Sequence, residues 1–188
     1  MFNLKKDLII IDVETSGVSD NASIIQLGAV KFDSKGFWHQ IPEFIACIIP
    51  YTGEWSKEAE AIHKIKQDNL FKYGHRLETV LKWFEEWAGN YKNFHLAQWA
   101  CGFDTRMLQL AYQHINRKYP FSYRAFDIAS IVRFSFAYKG ILSKKCSLGD
   151  CAKKIGLDVD KNRQHNALYD AQLTAQVLET IIGGINEL

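Results

Sequence analysis

Apolar positions along the chain repeat with one period in the first quarter and with another afterwards. Asp7 to Asp12 encloses a Leu-Ile-Ile-Ile run between polar flanks, the pattern of a buried strand. Ile24 to Phe32 and Phe37 to Ile49 are two further strand-like stretches, joined by the turn residues Asp33, Ser34, Lys35 and Gly36, and the three together predict an antiparallel meander. The period then becomes helical. Leu77, Val80, Leu81, Phe84, Trp87 and Ala88 fall on one helical stripe, with Gly89 placed to end it. Phe94 to Trp99 reads as a short strand, Asp104 to Lys118 as a helix on its Met107, Leu108, Ala111 and Ile115 stripe, Arg124 to Ile128 as a strand and Ile128 to Tyr138 as a helix. Ser147 is placed to cap a helix that ends near Gly156. A last helix is expected from Asn166 to about Ile181, and the Gly183-Gly184 pair reads as its end followed by a short tail. Strands first, then alternating helices and strands, predict an α/β fold with a mixed sheet flanked by helices.

Composition narrows the class without naming a chemistry. The chain has 188 residues, 47% of them apolar, which suffices for one substantial core and is short for two, so a single domain over residues 1–188 is expected. The stretch before Asp12 carries only a short apolar run, and no segment approaches the roughly 20 apolar residues that span a bilayer. Neither a signal peptide nor a membrane span is expected. Cys47, Cys101, Cys146 and Cys151 are scattered, so a reducing, cytoplasmic setting is the default; Cys146 and Cys151 lack the spacing and the second ligand pair of a zinc site. A net charge of +2 and a pI near 8.3 imply no particular partner.

Chemistry enters at the end of the first strand. Asp12 and Glu14 stand two residues apart, so both carboxylates leave one face roughly 6 to 7 Å apart while Val13 points the other way. Two like charges at a buried strand end are costly, so the pair either faces water or holds a cation, for which hard-oxygen binders such as Mg²⁺ and Mn²⁺ are suited. Asp104, at a helix start just after a strand, and His165 with Asp170, around another helix start, are candidates to join them. Five residues of continuous helix would turn His165 far from Asp170, so both face one site only if His165 precedes the helix. The polar run Asp160 to Gln164 is consistent with a loop ending there. Taken singly, a His or a first-turn Asp is usually a cap or a surface group.

These residues belong to a larger pattern. IIIDVETSG (Ile9 to Gly17), EAEAIHKI (Glu58 to Ile65), CGFDTRML (Cys101 to Leu108) and HNALYDA (His165 to Ala171) resemble, in this order, the motifs of the DEDDh family of exonucleases. The resemblance implies a ribonuclease H-like mixed sheet, antiparallel meander plus parallel strands. It implies Asp12, Glu14, Asp104 and Asp170 as carboxylates for two Mg²⁺ or Mn²⁺ ions, His165 as general base, and Thr15, Ser16, Gly17 and Val18 as the stretch that meets the terminal nucleotide. Gly17 would let backbone and phosphodiester approach closely, and Val18 would wedge against the last base. Two positions depart from the pattern: Trp99 and Ala100 replace a His-Asn pair, so any contact of that Asn is lost or rebuilt, and Lys64 stands where Gly often follows the Ile-His pair, which leaves His63 as a packing or helix-surface residue.

The implied activity is metal-dependent 3′-to-5′ hydrolysis of phosphodiesters at the free 3′ end of single-stranded DNA or RNA, releasing nucleoside 5′-monophosphates. An imidazole suits the base role because its ordinary pKa near 6.5 leaves it largely neutral at physiological pH. A ribonuclease H-type endonuclease and a non-catalytic nucleic-acid-binding module are the competing readings. Lys139, Lys144, Lys145, Lys153, Lys154, Lys161 and Arg163 crowd the region before His165, either along a substrate backbone or as a solvated face. Among the tryptophans, Trp83 and Trp87 lie four apart on a helix, a spacing more often used for packing than for stacking bases.

Overall fold

The computed structural model of the chain describes residues 4–186, and of residues 39–41 and 185–186 the backbone only. Its chain order is β1 (Asp7–Thr15), β2 (Ile24–Phe32), β3 (Trp38–Cys47), α1 (Lys57–His63), α2 (Gln67–Tyr73), α3 (Leu77–Ala88), β4 (Phe94–Gln98), α4 (Phe103–His114), β5 (Phe126–Asp127), α5 (Ile128–Tyr138), α6 (Leu148–Lys154) and α7 (Ala167–Asn186). The sheet order is β3-β2-β1-β4-β5. The first three strands form the expected antiparallel meander, and β4 and β5 run parallel to β1. This is the α/β, ribonuclease H-like mixed sheet.

The strand alternation of β1 sorts its side chains into two cores. Ile9, Ile11 and Val13 pack with α3 and α4, whereas Leu8 and Ile10 pack with α5, α6 and α7. Asp12 and Glu14 continue the Leu8-Ile10 row, so the period of two aims both carboxylates at the α7 side. Each fully buried aliphatic chain in these rows contributes about 1.5–3 kcal/mol relative to exposure.

Several boundaries differ from expectation. β1 runs on to Thr15, because its last residues keep pairing with β2 up to a register shift at Glu14/Thr15. β5 is two residues long, since Asp127 caps α5 by accepting the Ser130 N–H and so ends the strand. The helix expected from Asp104 to Lys118 is α4, which stops at His114, with Asn116 at φ 53°. The Gly183-Gly184 pair does not end the last helix. α7 passes through both, held by Ile181 and Ile182 in the core, at a cost of about 1 kcal/mol per glycine relative to alanine. Neither α1 nor α2 was expected: each has seven residues and a single buried one, His63 and Leu70, which leaves almost no helical period to read. Ser147 caps α6 as expected, and Trp87 packs on Phe84 in the core while Trp83 stays 40% exposed beside His75. Among the described residues no helix is long and apolar enough to cross a membrane.

Candidate active site

Carboxylates from both helical layers meet at the C-terminal end of β1. Pairing of β1 with β4 ends at Ile10↔Ala97, so farther along β1 the Val13 N–H has no strand partner on that side; the Asp104 Oδ1 accepts it at 3.0 Å. Asp104 is held there by the turn before α4. Cys101 and Gly102 both take left-handed backbone, φ 60° and 70°, and buried Gln98 accepts the Thr105 N–H (2.8 Å) and donates to the Ala100 carbonyl (3.4 Å). Asp127 Oδ2 accepts the Cys101 N–H at 3.0 Å. The turn that has Trp99 and Ala100 in place of the His-Asn pair is therefore secured by Gln98 and Asp127, neither of which stood out in the sequence.

Asp170 arrives from the opposite layer. As the loop argument requires, His165 lies outside α7, in a turn where it adopts φ 62°, and its backbone N–H donates to Asp170 Oδ2 at 3.0 Å. The turn is braced by Tyr169, whose hydroxyl accepts the Asp160 N–H at 2.8 Å and whose ring carries the Arg163 guanidinium at 4.7 Å. The first turn of α7 sits directly on β2. Buried Gln26 accepts the Ala167 N–H through its side-chain oxygen at 2.9 Å, and a Cβ at Gly28 would fall on the Ala167 carbonyl group and the Leu168 nitrogen. Gly28 is the register partner of Asp12, so this close approach sets how near Asp170 comes to the end of β1. Gln26 carried a faint signal in the sequence, one polar residue inside the apolar run of β2.

Ligand atoms of Glu14, His165 and Asp170 lie within 4.8 Å of one another. His165, expected as a base, thus stands close enough to the carboxylates to share an ion with them. Burial raises all four carboxyl groups, and repulsion by neighbouring carboxylates adds to it at Asp12, Glu14 and Asp104. Glu14 is pushed up to about 8, by burial first and then by Asp170 and Asp104. Asp104 rises to about 7 through burial, opposed by the Val13 N–H. Asp12 is raised by burial, then by Asp104, Glu14 and Asp170, and Asp170 is raised by burial, opposed by the His165 N–H. A cluster that holds its protons this tightly calls for a compensating cation, and its hard oxygen donors fit a divalent one.

Beside the cluster is an open cavity of about 420 Å³ lined by Val13, Glu14, Thr15, Gly17, Val18, Ser56, Glu58, Ala59, Ile62, His63 and Phe103. Thr15, Gly17 and Val18 therefore reach it. Ser16 does not line it: it is buried, its hydroxyl accepts the Ser23 N–H at 2.8 Å and its carbonyl accepts the Ser56 N–H at 2.7 Å, which ties the loop to the residue before β2 and to the cap of α1. A Cβ at Gly17 would strike the Glu54 carboxylate. His63 is buried rather than on the helix surface; its Nδ1 accepts the Ile65 N–H at 3.0 Å and its Nε2 has no partner among the described residues. Lys64, the residue in the glycine position, adopts φ 61°, a left-handed conformation that costs a non-glycine residue about 1–2 kcal/mol. The wall supplied by α1 was missed because α1 was missed.

A ribonuclease H-like sheet with acidic groups gathered at the end of its central strand is an arrangement suited to phosphodiester chemistry supported by divalent ions. The family model described as Exonuclease, RNase_T, matches residues 9–178. The chain belongs to this exonuclease family. Among curated proteins it is 26% identical over 184 residues to ribonuclease T of Buchnera aphidicola subsp. Acyrthosiphon pisum, covering 90% of this chain and 79% of that protein. With ribonuclease T of Buchnera aphidicola subsp. Schizaphis graminum the identity is 28%, over 93% and 82%. Among solved structures, cell-death related nuclease 4 superposes with a TM-score of 0.81 at 18% identity, over 95% of this chain and 64% of that one. The nuclease domain of 3′hExo, a DEDDh member bound to rAMP, gives 0.79 at 18%, over 98% and 95%. The zinc-bound complex of E. coli exonuclease I with single-stranded DNA gives 0.80 at 15%, over 96% of this chain and 41% of that one.

Proposed function

We propose that residues 1–188 form a single exonuclease domain that removes nucleotides one at a time from the free 3′ end of single-stranded DNA or RNA, releasing nucleoside 5′-monophosphates. The observation that carries this reading is the meeting of Asp12, Glu14, Asp104, His165 and Asp170 at the end of β1, against a cavity large enough for a nucleotide. In it, Asp12, Glu14, Asp104 and Asp170 would hold two Mg²⁺ or Mn²⁺ ions. When bound, such ions neutralise the crowded carboxylates and the charge that develops on a reacting phosphate. His165 accepts a proton from the attacking water. Its exposed position and its tie to Asp170 through the backbone leave the imidazole free to do so. Thr15, Gly17 and Val18 receive the terminal nucleotide and exclude a strand that continues past it, while Ser16 fixes the shape of their loop. The setting we propose is the cytoplasm, in keeping with four unpaired cysteines.

The test is digestion of 5′-labelled strands of DNA and RNA with Mg²⁺ or Mn²⁺. A ladder of single-nucleotide steps is expected, abolished by EDTA and blocked by a 3′-phosphate. Internal cuts, or equal digestion of blocked and free ends, would overturn the reading.

A further inference from the structure

A second surface begins beside the acidic cluster and leads away from it. The Ala129 N–H donates to the Trp99 carbonyl at 2.6 Å, and Asp127, the cap of α5, holds the Cys101 turn that precedes Asp104, so α5 starts at the active-site edge of the sheet. Its other end lies near the C-terminal part of α7, where Lys139 Nζ donates to the Gly184 carbonyl at 3.5 Å. Along the outward face of this helix Phe134 and Tyr138 are 76% and 75% exposed, followed by exposed Ile141 and Leu142. The two rings are four residues apart and so share one face, at roughly 9 and 15 Å along the axis from Ile128.

The segment that carries these rings has charge of one sign. From Ile128 to Cys146 the chain carries Arg133, Lys139, Lys144 and Lys145 and no acidic residue. Lys154 of α6 reaches the same place, donating to the Ile141 carbonyl at 2.8 Å. Lys139 and Lys154 thus donate to main-chain oxygens. Asp150 faces Lys145 from α6, and the surplus remains positive. Isolated exposed apolar residues are ordinary, but two rings with an apolar extension inside an acid-free, lysine-rich stretch combine what a single strand requires: flat faces for bases and cations for phosphates.

We propose that this face of α5 is a track for the single strand on the 5′ side of the scissile bond, with bases stacked on Phe134 and Tyr138 and phosphates beside Arg133, Lys139, Lys144 and Lys145. The inference rests on the nucleolytic reading of the acidic cluster. The track makes long strands better substrates than short ones. Both rings are exposed, so the Phe134→Ala, Tyr138→Ala double variant leaves the fold intact, which its Tm verifies.

Binding is measured by fluorescence anisotropy in EDTA, where no cleavage occurs, with a strand of roughly 20 nucleotides and with a trinucleotide. The double variant is expected to raise Kd for the long strand about tenfold or more and to leave that of the trinucleotide unchanged. In the presence of Mn²⁺, KM for the long strand rises in parallel while kcat is retained. Replacing Lys139, Lys144 and Lys145 by Gln is expected to flatten the salt dependence of long-strand binding. An unchanged Kd for the long strand overturns the track, as does a double variant whose only effect is to convert a dimer into a monomer in sedimentation, which would make the face a contact between copies. Failure of the wild-type chain to degrade either length overturns instead the active-site reading, since binding is measured without turnover.

Discussion

At the end of β1, Asp12 and Glu14 are held by pairing with β2 on one side, and Val13 between them by the Asp104 carboxylate on the other; across from them, His165 and Asp170 hang from a turn and from the first turn of α7. The first pair is aimed by the period of the strand, and displacing it would mean breaking the sheet. The second pair depends on contacts between residues far apart in sequence: Gln26 to Ala167, Gly28 under the backbone of α7, and the Asp160 and Arg163 contacts of Tyr169. A site assembled this way has one rigid half and one half whose position can be tuned from a distance.

The largest expected effect falls on Asp104, which is fixed to the rigid half through the Val13 N–H and feels the Asp170 charge from the other. Asp104→Asn is expected to bring single-turnover hydrolysis to the detection limit and to weaken Mn²⁺ binding in calorimetry, because the cluster loses a ligand charge. Retention of normal Mn²⁺ affinity would remove Asp104 from the metal set. His165→Ala tests the adjustable half. Its chemical step is expected to slow by about 10² to 10⁴, the usual span for loss of a general base, with Mn²⁺ affinity preserved. A loss of affinity as large as that of Asp104→Asn would make His165 a ligand, which its distance from Glu14 and Asp170 permits.

Gln26→Leu asks whether the seat of α7 governs the site. It leaves the Ala167 N–H unpaired, and the shift of Asp170 is expected to weaken Mn²⁺ binding by about 10- to 100-fold, as losses of supporting contacts around metal ligands do. Gln26→Glu keeps an acceptor and is expected to recover much of that affinity. Equal affinity in Gln26→Leu and wild type, with only Tm lowered, would reduce the residue to packing.

The smallest effect is on stability against pH. Glu14 and Asp104, at about 8 and about 7, bind their protons more tightly folded than unfolded, where carboxyls titrate near 4. Between about pH 4 and 8 the folded state therefore keeps protons that the unfolded state has released, and stability falls as pH rises. The metal-free Tm is expected to drop by several degrees across this range, and saturating Mn²⁺ to remove the slope. A flat metal-free profile would mean that the carboxyls are far better solvated than their burial indicates.

Much of this was legible in the residues themselves. The bounds of β2, α3 and α5, the aim of Asp12 and Glu14, and the placement of His165 before its helix all follow from local period and polarity, which act over a few residues. What lay beyond the sequence was set by distant partners. α1 is too short to show a period, yet it and its cap Ser56 supply Ala59, Ile62 and His63 to the cavity wall, and Ser16 turned inward because its hydroxyl and carbonyl meet Ser23, just before β2, and Ser56. Gly183 and Gly184 look like a stop to any local rule, but Ile181 and Ile182 are anchored in the core and the helix continues. Local chemistry chose which residues carry charge at each strand and helix end. The tertiary structure decided that those ends coincide, because only close packing of α7 on Gly28 and of α4 against β1 brings together residues that lie more than 90 positions apart.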